Sequence, residues 1–519
     1  MKHLETTRMV CKMNDQTLRT QMLYSYPHSL RYTKRALLVF ILLVFMYGYY
    51  YQDPGANGNS RLGLIFAIVQ EQRLTIDSYY NQEGTQTVDI AFVNGHYYSD
   101  KAIGASILGA LFYVPIYWLM KLTGHQLSLL HIKYILTFLV VGLPSAFAGS
   151  LVYVLCETIS GSRLRAYLAT LAVTLGTMVL PFSAILFGHQ LAGALLFCSF
   201  FMIFQLKLKP EWRAKFGYLF LIGLLLGSAF ITEYTTAVII LPLTFYYIYL
   251  LREKLLWRWF RFIMLPFLLG AFMPILILMV YNSLAFGNPL TIGYEHLANQ
   301  YQASMSQGFM GISWPRLIVL FYLTFHPAHG LFWQSPVLLL ALVGLYFLWR
   351  ARRYRLEALI ILVSFCFILL INSGYFMWWG GYSFGPRHLI PILLFLSLPL
   401  AMLPKRLVPL AIVLCAISIG QMLIPLAGNM LAPDDYFIEN SHLKFFGYSS
   451  IYSFSFQQLV KGYFAYNLGE KIIGLRKWMI LLPNILAILV VSGIFGISEL
   501  QFLKVHRSKQ IKSDVFVDK

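Results

Sequence analysis

The sequence predicts an all-α polytopic membrane protein with about 12 transmembrane helices, and three observations predict it. Hydrophobic residues fill 58% of the 519 positions and charged residues only 12%, about half the share of roughly 25% that soluble domains carry. Apolar runs of roughly bilayer-spanning length, about 17–25 residues, recur from residue 36 to residue 498. Between them the charges gather in short basic clusters such as "KLKPEWRAK", "REKLLWRWFR", "WRARRYR" and "KVHRSKQIK". The net charge of +19 would point to nucleic acid in a soluble protein. In a membrane chain it is orientation by the positive-inside rule, so the expected partner is the lipid bilayer and not nucleic acid.

Residues 1–35 form a basic cytoplasmic tail and precede the first apolar run, which is expected to stay as a signal anchor. The transmembrane core, 36–427, carries spans at 36–51, 131–156, 164–183, 189–206, 216–232, 235–250, 260–281, 334–349, 356–371, 388–403 and 407–427. An outer loop at 428–478 leads to the last span, 479–498, and a basic cytoplasmic tail, 499–519. The five cysteines (Cys11, Cys156, Cys198, Cys366, Cys415) lie in apolar segments or the basic tail, which predicts no structural disulfide and no metal-type Cys spacing.

Two further helical stretches, 61–72 and 104–120, sit in the first outer loop, 52–130. If 104–120 crossed the membrane, every later loop would change sides and the basic clusters would face outward. With that stretch lying along the outer interface as an amphipathic helix does, 28 of the 40 Lys and Arg residues fall inside. The reading is therefore a multi-pass membrane protein with both termini cytoplasmic and three long outer segments, 52–130, 282–333 and 428–478. Loops of that length are usually functional.

The polar groups collect on the outer side. "VNGHYYSDKA" (93–102) gives His96, Tyr97, Tyr98, Asp100 and Lys101, and the same loop holds Asp77 and Asp89. His189 and Gln190 open the fourth span, Glu233 ends the fifth, and Glu295, His296, His326 and His329 lie in the next outer segment. "MWWGGYSFGPRHLIP" supplies Trp378, Trp379, Arg387 and His388. Ionisable groups at membrane depth are costly and are functional hypotheses by default. Bland roles compete: a solvated Asp100–Lys101 pair, a neutralised core Glu233, an interfacial Trp378–Trp379 anchor, and a snorkelling Arg387. His326 and His329 have helical i, i+3 spacing without a third metal ligand. No metal site is read from the chain, although a divalent metal remains open as a cofactor.

Carboxylates, cations and aromatic rings at a membrane surface suit sugar transfer from a polyprenyl-phosphate donor. A carboxylate takes the acceptor hydroxyl's proton, cations stabilise the departing phosphate, and Arg fits it with a bidentate fork. The lipid-borne donor needs no nucleotide-binding domain, and the chain has neither a P-loop nor a dinucleotide fingerprint.

Here the sequence resembles the GT-C membrane glycosyltransferases, nearest the protein O-mannosyltransferase and lipid A aminoarabinose transferase branch. "NGHYYSDKAIGASIL" resembles that family's Lys-Pro-Pro region, "HIKYILTFLVVGLPSAFAGSLVYVL" its following span, and "GPRHLIPILLFLSLPLA" its late Arg-Tyr-x-x-Pro segment. The likeness covers roughly residues 36–400. It implies a GT-C-like bundle with interfacial helices in the first outer loop and a polyprenyl-phosphate-sugar donor. It also implies inverting transfer on the outer face, Lys101 on the phosphate, and Arg387 with His388 as further phosphate or pocket contacts. The family's Asp-Glu pair before the first interfacial helix reads "NGNSR" here, and its second acid is replaced by His189. The catalytic acid is then Asp77, Asp89 or Asp100, with His96, Tyr97, Tyr98, His189, Glu233, Trp378 and Trp379 as substrate pocket. The acceptor is a glycan, lipid or protein. The rival classes are a polyprenyl-linked glycan transporter or flippase, a glycan ligase or polymerase, and a non-catalytic assembly protein.

Overall fold

The computed structural model describes residues 33–252, 256–299, 301–433 and 448–517. Cys11 and nearly all of the N-terminal tail lie outside them, as do Asp434, Asp435 and Glu439 of the last outer loop. The chain is mostly helical, and eight helical segments among the described residues are long and apolar enough to cross a membrane. It is an all-helical, multi-pass membrane protein apart from two short two-stranded pairings.

Helix α1 (Lys34–Gly48) is capped by Thr33, whose side chain accepts from the Ala36 amide. It leads through β1 (Tyr50–Tyr51) into the first loop. There α2 (Gly55–Phe66) is buried from Gly58 to Phe66, so it is wedged into the protein rather than resting on its surface. No strands are expected in this loop from the sequence, yet β2 (Ile90–Val93) and β3 (His96–Ser99) pair antiparallel. Asn94 (φ 52°) and Gly95 (φ 85°) both adopt positive φ, the geometry that makes Asn-Gly the strongest two-residue hairpin turn. The signal was in "VNGH" and was masked by the helical character of its surroundings.

Helix α3 (Gly104–Thr123) buries a stripe of small residues (Gly104, Ala105, Ser106, Gly109, Ala110). A Cβ on Gly104 would stand 2.8 Å from the Thr232 backbone, and one on Gly109 would stand 2.3 Å from Ile65 Cδ1. Leu111, Trp118, Leu119 and Leu122 project from the opposite face. After α3 the chain returns to where the first loop began. In α4 (Leu129–Thr137), Lys133 Nζ lies 3.4 Å from Asp53, and Tyr134 donates its hydroxyl hydrogen to the carbonyl of Gly48.

The core then assembles from α5 (Leu143–Ser160), α6 (Arg163–Thr174), α7 (Val179–Phe182) and α8 (Gly188–Leu208). The expected span 164–183 is broken after Thr174. Thr170, Thr174 and Thr177 each turn their hydroxyls back on a carbonyl four residues earlier, a bond that loosens a helix. Next come α9 (Phe216–Thr232), α10 (Ala237–Leu251) and α11 (Leu265–Phe286). Helices α9 and α11 meet at Gly223, Gly227 and Gly270, where any Cβ would strike facing backbone; small residues let membrane helices approach this closely. Helices α12 (Leu317–Thr324), α13 (Leu339–Arg350) and α14 (Arg355–Gly374) come after them, then the apolar helical stretch α15 (Arg387–Ala401) and α16 (Val408–Ala427). Strand β4 (Tyr466–Asn467) pairs with β1, tying the last outer loop to the end of α1. Helix α17 runs from Leu482 to Val517, so the expected C-terminal tail continues the last helix.

One buried charge holds the core at the far end of the helices. Glu357, fully buried, accepts from Lys207 Nζ and from the Tyr246 hydroxyl, both at 2.6 Å, joining α14, α8 and α10. Cys156, Cys198, Cys366 and Cys415 are free thiols.

Candidate active site

The first loop, the α7–α8 turn, the α9–α10 junction, the loop after α11 and the loop after α14 converge at one end of the bundle. They enclose a cavity of about 1010 Å³ whose wall includes Arg61, Asp89, Asp100, Lys101, His189, Glu233, Arg387 and His388. Arg61 is carried within α2 and His189 on the first turn of α8; others are placed by local breaks in regular structure. Asp100 and Lys101 come directly after β3, where Gly293 packs so tightly that a Cβ would stand 2.9 Å from Asp100 Cα. Glu233 caps α9 in an extended conformation (φ −155°, ψ 107°), which ends that helix. Arg387 opens α15 behind a glycine-rich turn in which Gly380 takes φ +86°. A Cβ there would lie 2.9 Å from Arg387 Nε, so glycine is required both by the backbone and by the guanidinium packed over it.

Three polar groupings result. In the first, Lys101 Nζ lies 3.0 Å from Asp89 Oδ2 and 3.1 Å from Asp100 Oδ2. Burial pushes Asp100 up to about 6, helped by the Asp89 charge and opposed by Lys101 and Arg61. Burial alone would lower Lys101, but Asp100 and Asp89 outweigh it and hold the ammonium above the ordinary lysine value. Asp100 is almost inaccessible, whereas Asp89 keeps 19% of its side chain exposed and faces the cavity.

In the second grouping, His189 Nδ1 stands 3.1 Å from Glu233 Oε2. Buried Arg61 donates from Nη1 to the carbonyl of Ala102 at 2.7 Å. A Cβ on Gly188 would lie 3.0 Å from Glu233 Oε2 and 3.1 Å from Arg61 Nη2, so both groups crowd a residue that must lack a side chain. The His388 ring stands edge-on to His189 at 5.1 Å between centroids. The third grouping is Arg387 itself. Its guanidinium lies 5.1 Å from the Phe187 ring centroid, within cation–π range. Its buried Nε has no hydrogen-bond partner among the described residues, and Arg387 forms no ion pair among them.

Six of the expected site residues stand elsewhere. Asp77 receives the Tyr97 amide at 2.7 Å and sits 2.7 Å from His96 Nδ1, on the exposed side of the hairpin. Tyr97 stacks on Tyr80 with centroids 4.1 Å apart, and Tyr98 packs against Phe286. Trp378 packs on Tyr322 at 5.4 Å, and Trp379 lies against Trp378, in an apolar cluster that also approaches His326 and His329. None of these lines the cavity. Among the described residues no group of three or more His, Cys, Asp or Glu side chains is arranged to hold a metal ion.

Arg61, Phe187, Tyr294 and Tyr375 line the cavity and were missed. For Arg61 the signal existed: one cation heading the apolar "RLGLIFAIV" is the membrane-depth charge that calls for a role. The three aromatic residues carry no such mark in a chain with 16% aromatic residues.

Fold and site together define a polytopic helical membrane protein with a cavity at one end of its bundle whose wall carries several charged side chains. Comparison with protein-family models, curated proteins and solved structures returns no match to this chain.

Proposed function

We propose that the protein is a GT-C-like membrane glycosyltransferase that moves a sugar from a polyprenyl-phosphate donor to an acceptor hydroxyl on the outer face of the inner membrane. The observation that carries this reading is the pairing, in one cavity, of a partly exposed carboxylate with an arginine that forms no ion pair within 4 Å among the described residues. Asp89 is the base, and Arg387 is the cation left for the donor phosphate. Lys101, expected on the phosphate from the family resemblance, is bracketed by two carboxylates and serves to orient Asp89.

The reaction is a single displacement. The acceptor oxygen attacks the anomeric carbon as its proton passes to Asp89. The bond from that carbon to the phosphate oxygen breaks, and polyprenyl phosphate leaves with the electron pair, stabilised by the Arg387 fork. One displacement inverts the anomeric configuration.

The topology is proposed with it: 12 crossings, both termini cytoplasmic, and α3 at the outer interface. Parity supports this as charge did. The first loop and the α7–α8 turn line one cavity, so the crossings between them must be even in number. The segment Leu129–Ser160 and the α6–α7 segment supply two, and α3 as a third would break the count. The Asp53 and Gly48 contacts of α4 likewise return the chain to the end at which α1 finished.

The test is binding of undecaprenyl phosphate to the purified protein. Wild type is expected to bind it, and Arg387→Met to weaken binding by about 10- to 100-fold, the value of one charge-assisted contact. Equal affinity in both proteins removes Arg387 from the donor site and the reading with it.

A further inference from the structure

Sugar transfer by Asp89 and Arg387, with Lys101 and Asp100 in support, leaves Glu233, His189, Arg61 and His388 without a task. Burying such a set is expensive unless it is internally matched or meets a ligand. It is internally matched as far as charge goes: Glu233 faces both His189 and Arg61, and Arg61 spends Nη1 on the Ala102 carbonyl. Hydrogen bonding is less complete. His189 Nδ1 stands 3.1 Å from Glu233 Oε2, yet it is a buried polar atom with no hydrogen-bond partner among the described residues. Glu233 keeps 12% of its side chain exposed, and both residues face the cavity beside Tyr294 and Tyr375. A charged substituent entering here meets no uncompensated opposite charge. A hydroxyl group, which both donates and accepts, fits a carboxylate oxygen and an imidazole nitrogen set side by side.

We propose that the Glu233–His189 pair, backed by Arg61 and edged by His388, is the subsite for the ring hydroxyls of the donor sugar, so that the transferred group is a neutral, hydroxyl-bearing sugar rather than a uronic acid or an amino sugar. This rests on the glycosyl-transfer reading and adds the substrate class. The Tyr294 and Tyr375 rings at the same wall offer faces for the C–H side of the pyranose, while the phosphate lies toward Arg387. A site built to hydrogen-bond a hydroxyl rejects the analogue that lacks it, because the polar groups are then left buried and unpaired.

The test uses short citronellyl-phosphate glycosides titrated into the full-length protein in detergent, with affinity read calorimetrically. The panel holds a neutral hexose, its single-position deoxy analogues, the matching uronic acid, the matching amino sugar and bare citronellyl phosphate. At least one deoxy analogue, the uronic acid and the amino sugar are each expected to bind about 10- to 100-fold more weakly than the hexose, the loss for a buried polar group left unpaired. In isosteric Glu233→Gln and in His189→Gln, the hexose-to-deoxy ratio should collapse toward one. If every glycoside binds no better than bare citronellyl phosphate, or if the ratio survives in both variants, the subsite is refuted while the donor reading stands. If bare citronellyl phosphate also fails to bind, the donor reading falls, and the subsite falls with it.

Discussion

Replacing Lys101 by Met removes the cation between two carboxylates, and the structure sets both the size and the pH dependence of the effect. In the wild type, Asp100 titrates at about 6, above its ordinary value of about 3.9, because burial outweighs the nearby cations. A carboxyl group whose folded value is raised binds its proton more tightly folded than unfolded, so its contribution to stability is greatest at low pH and falls as pH rises through about 4 to about 6. Without Lys101, which holds it down, the folded value rises further, and the penalty continues to grow past pH 6 instead of levelling off. At pH 7 the extra penalty cannot exceed the one unit between 6 and 7, about 1.4 kcal/mol, because protonation caps it below the 3–5 kcal/mol typical of a broken buried pair. At pH 5 Asp100 is largely protonated in both proteins and this extra penalty vanishes. The assay is equilibrium unfolding by SDS in mixed micelles at pH 5 and pH 7 for wild type and Lys101→Met. The stability gap should be wider at pH 7. A gap of equal size at both values would refute the linkage between Lys101 and Asp100.

Three single contacts give further expected outcomes. Gly380→Ala sets a Cβ against Arg387 Nε and forces alanine into positive φ, so undecaprenyl-phosphate affinity should fall by about tenfold with the protein still folded, a loss of order 1–2 kcal/mol, measurable by calorimetry. Glu357→Gln weakens two short bonds at the far end of the bundle and should cost about 1–3 kcal/mol in SDS unfolding, while donor binding stays at the wild-type level. Trp378→Phe alters an apolar cluster outside the cavity, and its effect on donor affinity should stay within about twofold, below 0.5 kcal/mol.

How much was legible depended on the kind of physics involved. The helical, multi-pass architecture was plain, because apolar length is a one-dimensional property that the bilayer enforces. The collection of polar residues at one end of the bundle was also readable, and Asp89, Asp100, Lys101, His189, Glu233, Arg387 and His388 do meet in one cavity. The sequence could not say which face of the hairpin each residue takes. Asp77 and Asp89 look alike on paper, yet Asp77 is spent on His96 and the Tyr97 amide, while Asp89 reaches the cavity. His96, Tyr97 and Tyr98 were grouped with Lys101 by proximity, but they belong to a strand whose register turns them toward the hairpin's own packing. For Lys101 the pairing with its neighbour Asp100 was in view from the sequence, but the second contact, with the more distant Asp89, was not. Arg61 and Glu233 are 172 positions apart and come together over Gly188, a closeness that no local pattern encodes.

In the proposed reaction Asp89 removes the acceptor's proton while Arg387 holds the departing phosphate. That division of labour is tested most directly by single-turnover transfer from radiolabelled polyprenyl-phosphate sugar, with wild type beside Asp89→Asn and Asp77→Asn, each checked for folding. Wild type and Asp77→Asn should form labelled product, and Asp89→Asn should lose at least about 100-fold in rate, the lower range for a general base, with donor binding retained. Transfer by Asp89→Asn at the wild-type rate would contradict the account.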